Sequence, residues 1–200
     1  MRSLTASDRS ALIRLASSLP AGSPERKAIL AGINYERYER IVGVNVPGKH
    51  IFDRAEVYGN AEVSGNASVS GNAEVYERAR VYGDAKVSGR TGVYGKAQVY
   101  DDAEVSGGEV FGDARVYENA KVSGRAYISD NAHVYGDAQV WGFAQVFGDA
   151  EVFGDAKVSG NAEVFGNAKI SGDALIAGGR WDGSEGPITS GKWKAPGVPF

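Results

Sequence analysis

From Ile51 to Ile176 an apolar, mostly β-branched residue returns every six positions, and the residue two places before it is nearly always Ala. The unit reads Val, then an aromatic residue or Ser, then Gly, Asn or Asp, Ala, and a polar residue, and it recurs about 22 times with one slip. Thus Val57-Tyr58-Gly59-Asn60-Ala61-Glu62 is followed by Val63-Ser64-Gly65-Asn66-Ala67-Ser68, and Val146-Phe147-Gly148-Asp149-Ala150-Glu151 belongs to the same series. Apolar residues two apart belong to a strand with one face inward, whereas a helix needs spacings of three and four. A fixed short period marks a solenoid. Each unit predicts one short strand and one corner, with Gly and then Asn or Asp at the corner because these residues accept positive φ at low cost.

A longer period lies inside the first. The residues that follow each Val, read every third unit, form three columns: Ser70, Ser88, Ser106, Ser123, Trp141, Ser159; Tyr58, Tyr76, Tyr94, Phe111, Ser129, Phe147, Phe165; and Ser64, Tyr82, Tyr100, Tyr117, Tyr135, Phe153, Ser171. Equivalent positions recur every 18 residues, the expectation for a coil of three strands per turn in which each strand stacks on the next at about 4.8 Å. Roughly seven coils follow, about 34 Å long at that spacing. The inward positions alternate Val with Ala because anything larger would overpack a narrow three-sided interior. Each Val removed from water contributes ~1.5–3 kcal/mol, so stability is shared along the stack. The slip is Val105-Ser106-Gly107-Gly108-Glu109-Val110, where a doubled Gly lets the chain cut a corner and the register is expected to resume at Val116.

Val or Ile, a small residue four places later and an Asn, Asp or Gly corner between them resemble the hexapeptide repeat of left-handed parallel β-helix proteins, over roughly two thirds of the chain. The resemblance implies an all-β solenoid, a left-handed parallel β-helix of about seven three-strand coils, preceded here by a short N-terminal helical segment. Many proteins with this repeat are acyltransferases that use acetyl-CoA or acyl carriers, some are zinc carbonic anhydrases, and they are usually trimers. Such transferases generally rely on a His general base and on loops that interrupt the coils. This chain has two His, and the units from Val110 to Ile176 run without insertion. His133 is the one catalytic candidate in the repeat. It precedes Val134, so it should face outward with Arg115 and Glu151 stacked on either side, the setting of a solvated or salt-bridged residue. His50 lies outside the repeat beside Lys49. Two His cannot supply a three-His zinc site within one chain. The Ser column has no His and acid beside it to activate a nucleophile. Long outward residues (Lys86, Glu104, Lys121, Gln139, Lys157) argue against an ice-binding face, and the period is not the nine residues of a calcium-binding β-roll. The reading assigns no catalytic residue, no metal and no cofactor.

Residues 1–40 predict a helical cap or docking segment. Leu12, Leu15 and Leu19 share one face of a helix over 7–19 that stops at Pro20-Ala21-Gly22, and Ser23-Pro24-Glu25 opens a second that ends at Gly32. Residues 41–50 are expected to be an entry strand or linker, 51–179 the β-helix, and 180–200 an irregular tail that packs Trp181 and Trp193 on the last coil. The leader resembles short segments that precede unrelated domains in phage and bacterial proteins, so a protein partner for these helices is expected.

Charge narrows the partners. Residues 1–50 hold eight Lys and Arg against four Asp and Glu, whereas 51–179 hold eleven against nineteen. An acidic solenoid is a poor match for phosphates, which demand a basic stripe. There is no cysteine, no apolar run approaching the ~18 residues of a membrane span and no signal-peptide pattern. The expectation is a cytoplasmic or virion-associated protein away from membranes.

The aromatic columns are the main candidate surface: Tyr58, Tyr76, Tyr94, Phe111, Phe147 and Phe165 on one side, Tyr82, Tyr100, Tyr117, Tyr135 and Phe153 on another. Stacked rings gain ~0.2–1 kcal/mol per cross-strand pair, and left uncovered the columns would expose an apolar strip of the size that marks an interface. Acids flank the first column (Glu56, Glu74, Glu109, Glu163), while Arg80, Arg115, His133 and Lys169 stand among Glu62 and Glu151 near the second. The leading reading is a non-catalytic structural or assembly scaffold, phage-related or part of cell architecture, that self-associates laterally as a homo-oligomer, with a trimer as one form. The alternatives are a protein- or carbohydrate-binding module using the same rings and an acetyl-CoA-dependent acyltransferase.

Overall fold

A computed structural model describes residues 51–194 of the chain, within the compact unit Gly43–Phe200. The predicted helical segment and entry strand, residues 1–50, lie outside the described residues, as do 195–200.

The described residues form a parallel β-solenoid of about 8 turns with no helix. Strands of two residues recur at the six-residue period and end on the inward Val or Ile, as at Glu56–Val57, Glu62–Val63 and Gln139–Val140. All pair in parallel, and register steps by 18 residues: Glu56 lies beside Glu74, Glu62 beside Arg80, Ser68 beside Lys86. Three columns of paired strands result. Two of them merge into one 13-stranded sheet while the third is a separate 7-stranded sheet. The merger happens because Lys86–Val93, Glu104–Val110 and Lys121–Ile128 run continuously through the corner between the two columns.

The core is a stack of Ala and Val. Nearly all the inward Ala and Val from Val57 to Ile176 have essentially no exposed surface, and the largest fully buried side chains are only Ile and Val. With so little volume per coil, ladder hydrogen bonds carry much of the specificity. Glu56 N donates to Ala73 O at 2.8 Å and Tyr58 N to Val75 O at 3.0 Å, and the same pair recurs coil after coil.

The corners follow a rule that composition alone conceals. Among the described residues, five non-glycine corner residues have φ near +60°: Asp53, Glu77, Asp101, Glu118 and Asp130. All are acids, and each carboxylate accepts the backbone N–H of the corresponding corner on the next coil: Asp53 from Gly71 N (3.1 Å), Glu77 from Gly95 N (2.9 Å), Asp101 from Glu118 N (3.4 Å), Glu118 from Gly136 N (2.9 Å) and Asp130 from Gly148 N (3.2 Å). The strain of a left-handed side chain is offset by a charge-assisted bond to a corner N–H.

The slip is repaired within one coil. Val110 pairs with Val93 below and Ile128 above, so register resumes at Val110, earlier than the expected Val116. In the preceding coil Thr91 takes an inward position usually held by Ala. Its buried hydroxyl donates to Ser88 O at 2.6 Å and accepts from Gly107 N at 2.7 Å, so the shortened corner keeps its amide satisfied.

The tail also differs from expectation. Arg180–Trp181 pairs with Glu163–Val164, Ile188 bridges Ile170, and Lys192–Trp193 pairs with Leu175–Ile176, which makes an eighth coil in place of an irregular segment. Ile176-Ala177-Gly178-Gly179-Arg180-Trp181 repeats the doubled-Gly short corner of Val105 to Val110. Trp181 and Trp193 occupy rungs where lower coils carry Val and Ile. Their rings meet edge to face at 5.6 Å, and each indole N–H is held by a carbonyl three residues earlier, Gly178 O at 3.0 Å and Ser190 O at 2.8 Å. Two large rings thus stand at the last rung of a core that elsewhere admits only small side chains.

Candidate functional site: aromatic columns and corners

The position after each Val carries its side chain along a corner, so rungs one strand spacing apart bring successive rings into contact. Tyr58, Tyr76, Tyr94 and Phe111 stack with centroids 4.9–5.0 Å apart and planes within 9°. Ser129 interrupts this column, and Phe147 and Phe165 form a second block at 5.2 Å. Tyr82, Tyr100, Tyr117, Tyr135 and Phe153 form one unbroken stack at 4.8–5.0 Å. Each ring covers its neighbours' faces, so apart from Tyr58 at 40% the column rings are half-buried and present mainly edges. The open apolar strip expected from the sequence is therefore much narrower.

The hydroxyls are also engaged inside the stacks, a feature the sequence reading missed. Tyr58 donates to Glu74 (3.3 Å), Tyr94 to Glu109 (2.7 Å) and Tyr135 to Glu151 (3.1 Å), while Tyr82 is hydrogen-bonded to Gln98 (3.1 Å). The acceptor is always the outward residue before the next coil's Val, and a Glu or Gln 15 or 16 places after a Tyr was the available signal. Burial, reinforced by Glu74, pushes the Tyr58 phenol up to about 12, and burial with the Glu151 hydrogen bond does the same for Tyr135. Tyr100, stacked between Tyr117 and Tyr82, is likewise pushed up to about 12, chiefly by burial.

His133 pairs with Arg115 on one side and Glu151 on the other, in the expected register. Its ring is half-buried and meets Tyr117 edge-on at 6.0 Å. Burial, and then Arg115, lower its pKa against the opposing pull of Glu151, so the imidazole favours its neutral form. The carboxylate that might orient it is already engaged: Glu151 accepts from Lys169 Nζ at 2.9 Å and from the Tyr135 hydroxyl. The Lys169 hydrogen bond holds that carboxyl below its ordinary range. The column runs Glu62, Arg80, Gln98, Arg115, His133, Glu151 and Lys169, and ion pairs close it at both ends, Arg80 with Glu62 and Lys169 with Glu151. Among the described residues no group of three His, Asp or Glu is placed to hold a metal ion.

The most open rings lie elsewhere. Phe143 is 55% exposed, Phe52 43% and Tyr127 41%. The Arg125 guanidinium sits 5.6 Å from the centre of the Phe143 ring, and Trp141 precedes it by two residues. The pattern Trp141-Gly142-Phe143, aromatic on both sides of a corner Gly, breaks the column rule and was the signal for this patch.

No protein-family model, curated protein or solved structure matches this chain.

Proposed function

We propose that the protein is a non-catalytic structural or assembly scaffold whose solenoid self-associates side by side, three copies being the simplest closed form. The observation that supports this most is the in-register stacking of five rings from Tyr82 to Phe153 beside an exposed corner, which builds a stiff edge repeating at every rung. A surface that repeats at fixed spacing suits contact with another object of the same spacing, and a second copy is such an object. The leader of residues 1–40 would serve as cap or as the docking piece for a different protein.

Sedimentation of the intact 21.1 kDa chain at micromolar concentration tests the reading. A discrete multiple of that mass is expected, shifting toward the single-chain mass when Tyr100→Ser and Tyr117→Ser interrupt the unbroken stack. A single-chain mass for the unaltered protein would count against the scaffold.

A further inference from the structure

The two edges of the third strand column, which runs through Lys86–Val87, Lys121–Val122 and Lys157–Val158, carry opposite charge. At the leading edge, beside the Tyr82 to Phe153 stack, the exposed corners bear Asp84, Asp102, Glu118, Asp137, Asp155 and Asp173 and no Lys or Arg. None of these six is in an ion pair among the described residues. The trailing edge presents Arg90, Arg125 and Phe143 at the equivalent corner position, with Tyr127 just beyond. Arg90 and Arg125 are likewise in no ion pair among the described residues, Arg125 lying over Phe143.

We propose that the arginine and aromatic edge is the docking surface for the acidic, tyrosine-lined edge of a second copy of this chain. The inference rests on the scaffold reading and names the surfaces by which copies meet. Both edges are built on one lattice: Arg90 and Arg125 stand two coils apart, about 9.6 Å at the usual strand spacing, and so do Asp84 and Glu118. When copies are related by rotation alone, equal levels face each other. Arg90 then faces Asp84, Arg125 faces Glu118 with Asp137 one rung away, and Phe143 meets the level of Tyr135. Every contact pairs unlike charge or ring with ring, whereas like edges would set Asp against Asp or Arg against Arg. That asymmetry makes the contact heterologous, the kind that closes into rings.

A charge exchange tests this. Arg90→Glu with Arg125→Glu makes both edges acidic, and Asp84→Lys with Asp137→Lys places Lys opposite Arg90 and one rung from the level of Arg125. These positions are exposed corners, and circular dichroism would verify that each variant is folded. Each double variant alone should raise the dissociation constant at least about tenfold, and a one-to-one mixture should restore association between the two. Variants that self-associate as tightly as the unaltered chain, or a folded mixture that fails to recover, would overturn the docking assignment while leaving the scaffold reading in place. An unaltered chain that is monomeric would remove both.

Discussion

Gly108→Ala should destabilise the solenoid by about 4 kcal/mol, the sum of a left-handed side chain and an overpacked backbone contact. Gly108 has φ +79° inside the shortened corner, and a Cβ there would overlap the Ala126 carbonyl oxygen and lie 2.9 Å from Ala126 N. Neither obstacle can yield cheaply, because both are backbone atoms of one of the two longest strand pairings among the described residues, Glu104–Val110 with Lys121–Ile128. Gly92→Ala is the matched control: a Cβ would meet the Glu109 side chain and the Tyr94 ring at an ordinary 3.6 Å, and no positive φ is required. It should be neutral, or stabilising by ~0.4–1 kcal/mol through the unfolded chain. Denaturant midpoints check both. Equal midpoints for the two variants would show that the doubled glycine is not needed to shorten the corner.

Alkaline pH should unfold the chain cooperatively between about 10 and 12. Seven stacked tyrosines resist ionisation. Tyr58, Tyr100 and Tyr135 are pushed up to about 12, and Tyr76, Tyr82, Tyr94 and Tyr117 are raised as well. Burial is the first cause in every case, and for Tyr94 the hydrogen bond to Glu109 comes next. In the unfolded chain tyrosine ionises near pH 10. Below that pH both states keep their protons and the contribution is whole. Above it the unfolded state sheds protons that the folded state retains, so stability falls as pH climbs toward the folded values. Tyrosinate absorbance and far-ultraviolet circular dichroism should change together. Tyrosines titrating one by one near pH 10 with unchanged circular dichroism would contradict stacked, hydrogen-bonded rings.

Much of the fold was legible because an interior this narrow admits one code. Ala61 and Val63 or Ala138 and Val140 declare an inward face by their spacing, and rings 18 residues apart must stack once three strands make a turn. Legibility failed where one physical role changed its residue type. Trp181 and Trp193 fill rungs that Val and Ile fill elsewhere, and a 17-residue step separates them from Val164 and Ile176, so the eighth coil read as an irregular tail. Thr91 stands in for Ala because the next corner needs a hydroxyl at Gly107. Acids at positive φ stand where Gly stands in other coils, and the repeat does not announce that their carboxylates tie each coil to the next. In the candidate site the columns were visible and their satisfaction was not. Hydrogen bonds such as Tyr94 to Glu109 depend on side-chain reach across a coil, which period alone does not report.

Electron cryomicroscopy of the intact chain at micromolar concentration tests the central claim most directly. The account predicts closed particles in which solenoids lie side by side with rungs level, the Arg90 and Phe143 edge of one copy against the Asp84 and Tyr135 edge of the next. Isolated solenoids, or copies joined end to end through their last coils, would contradict it.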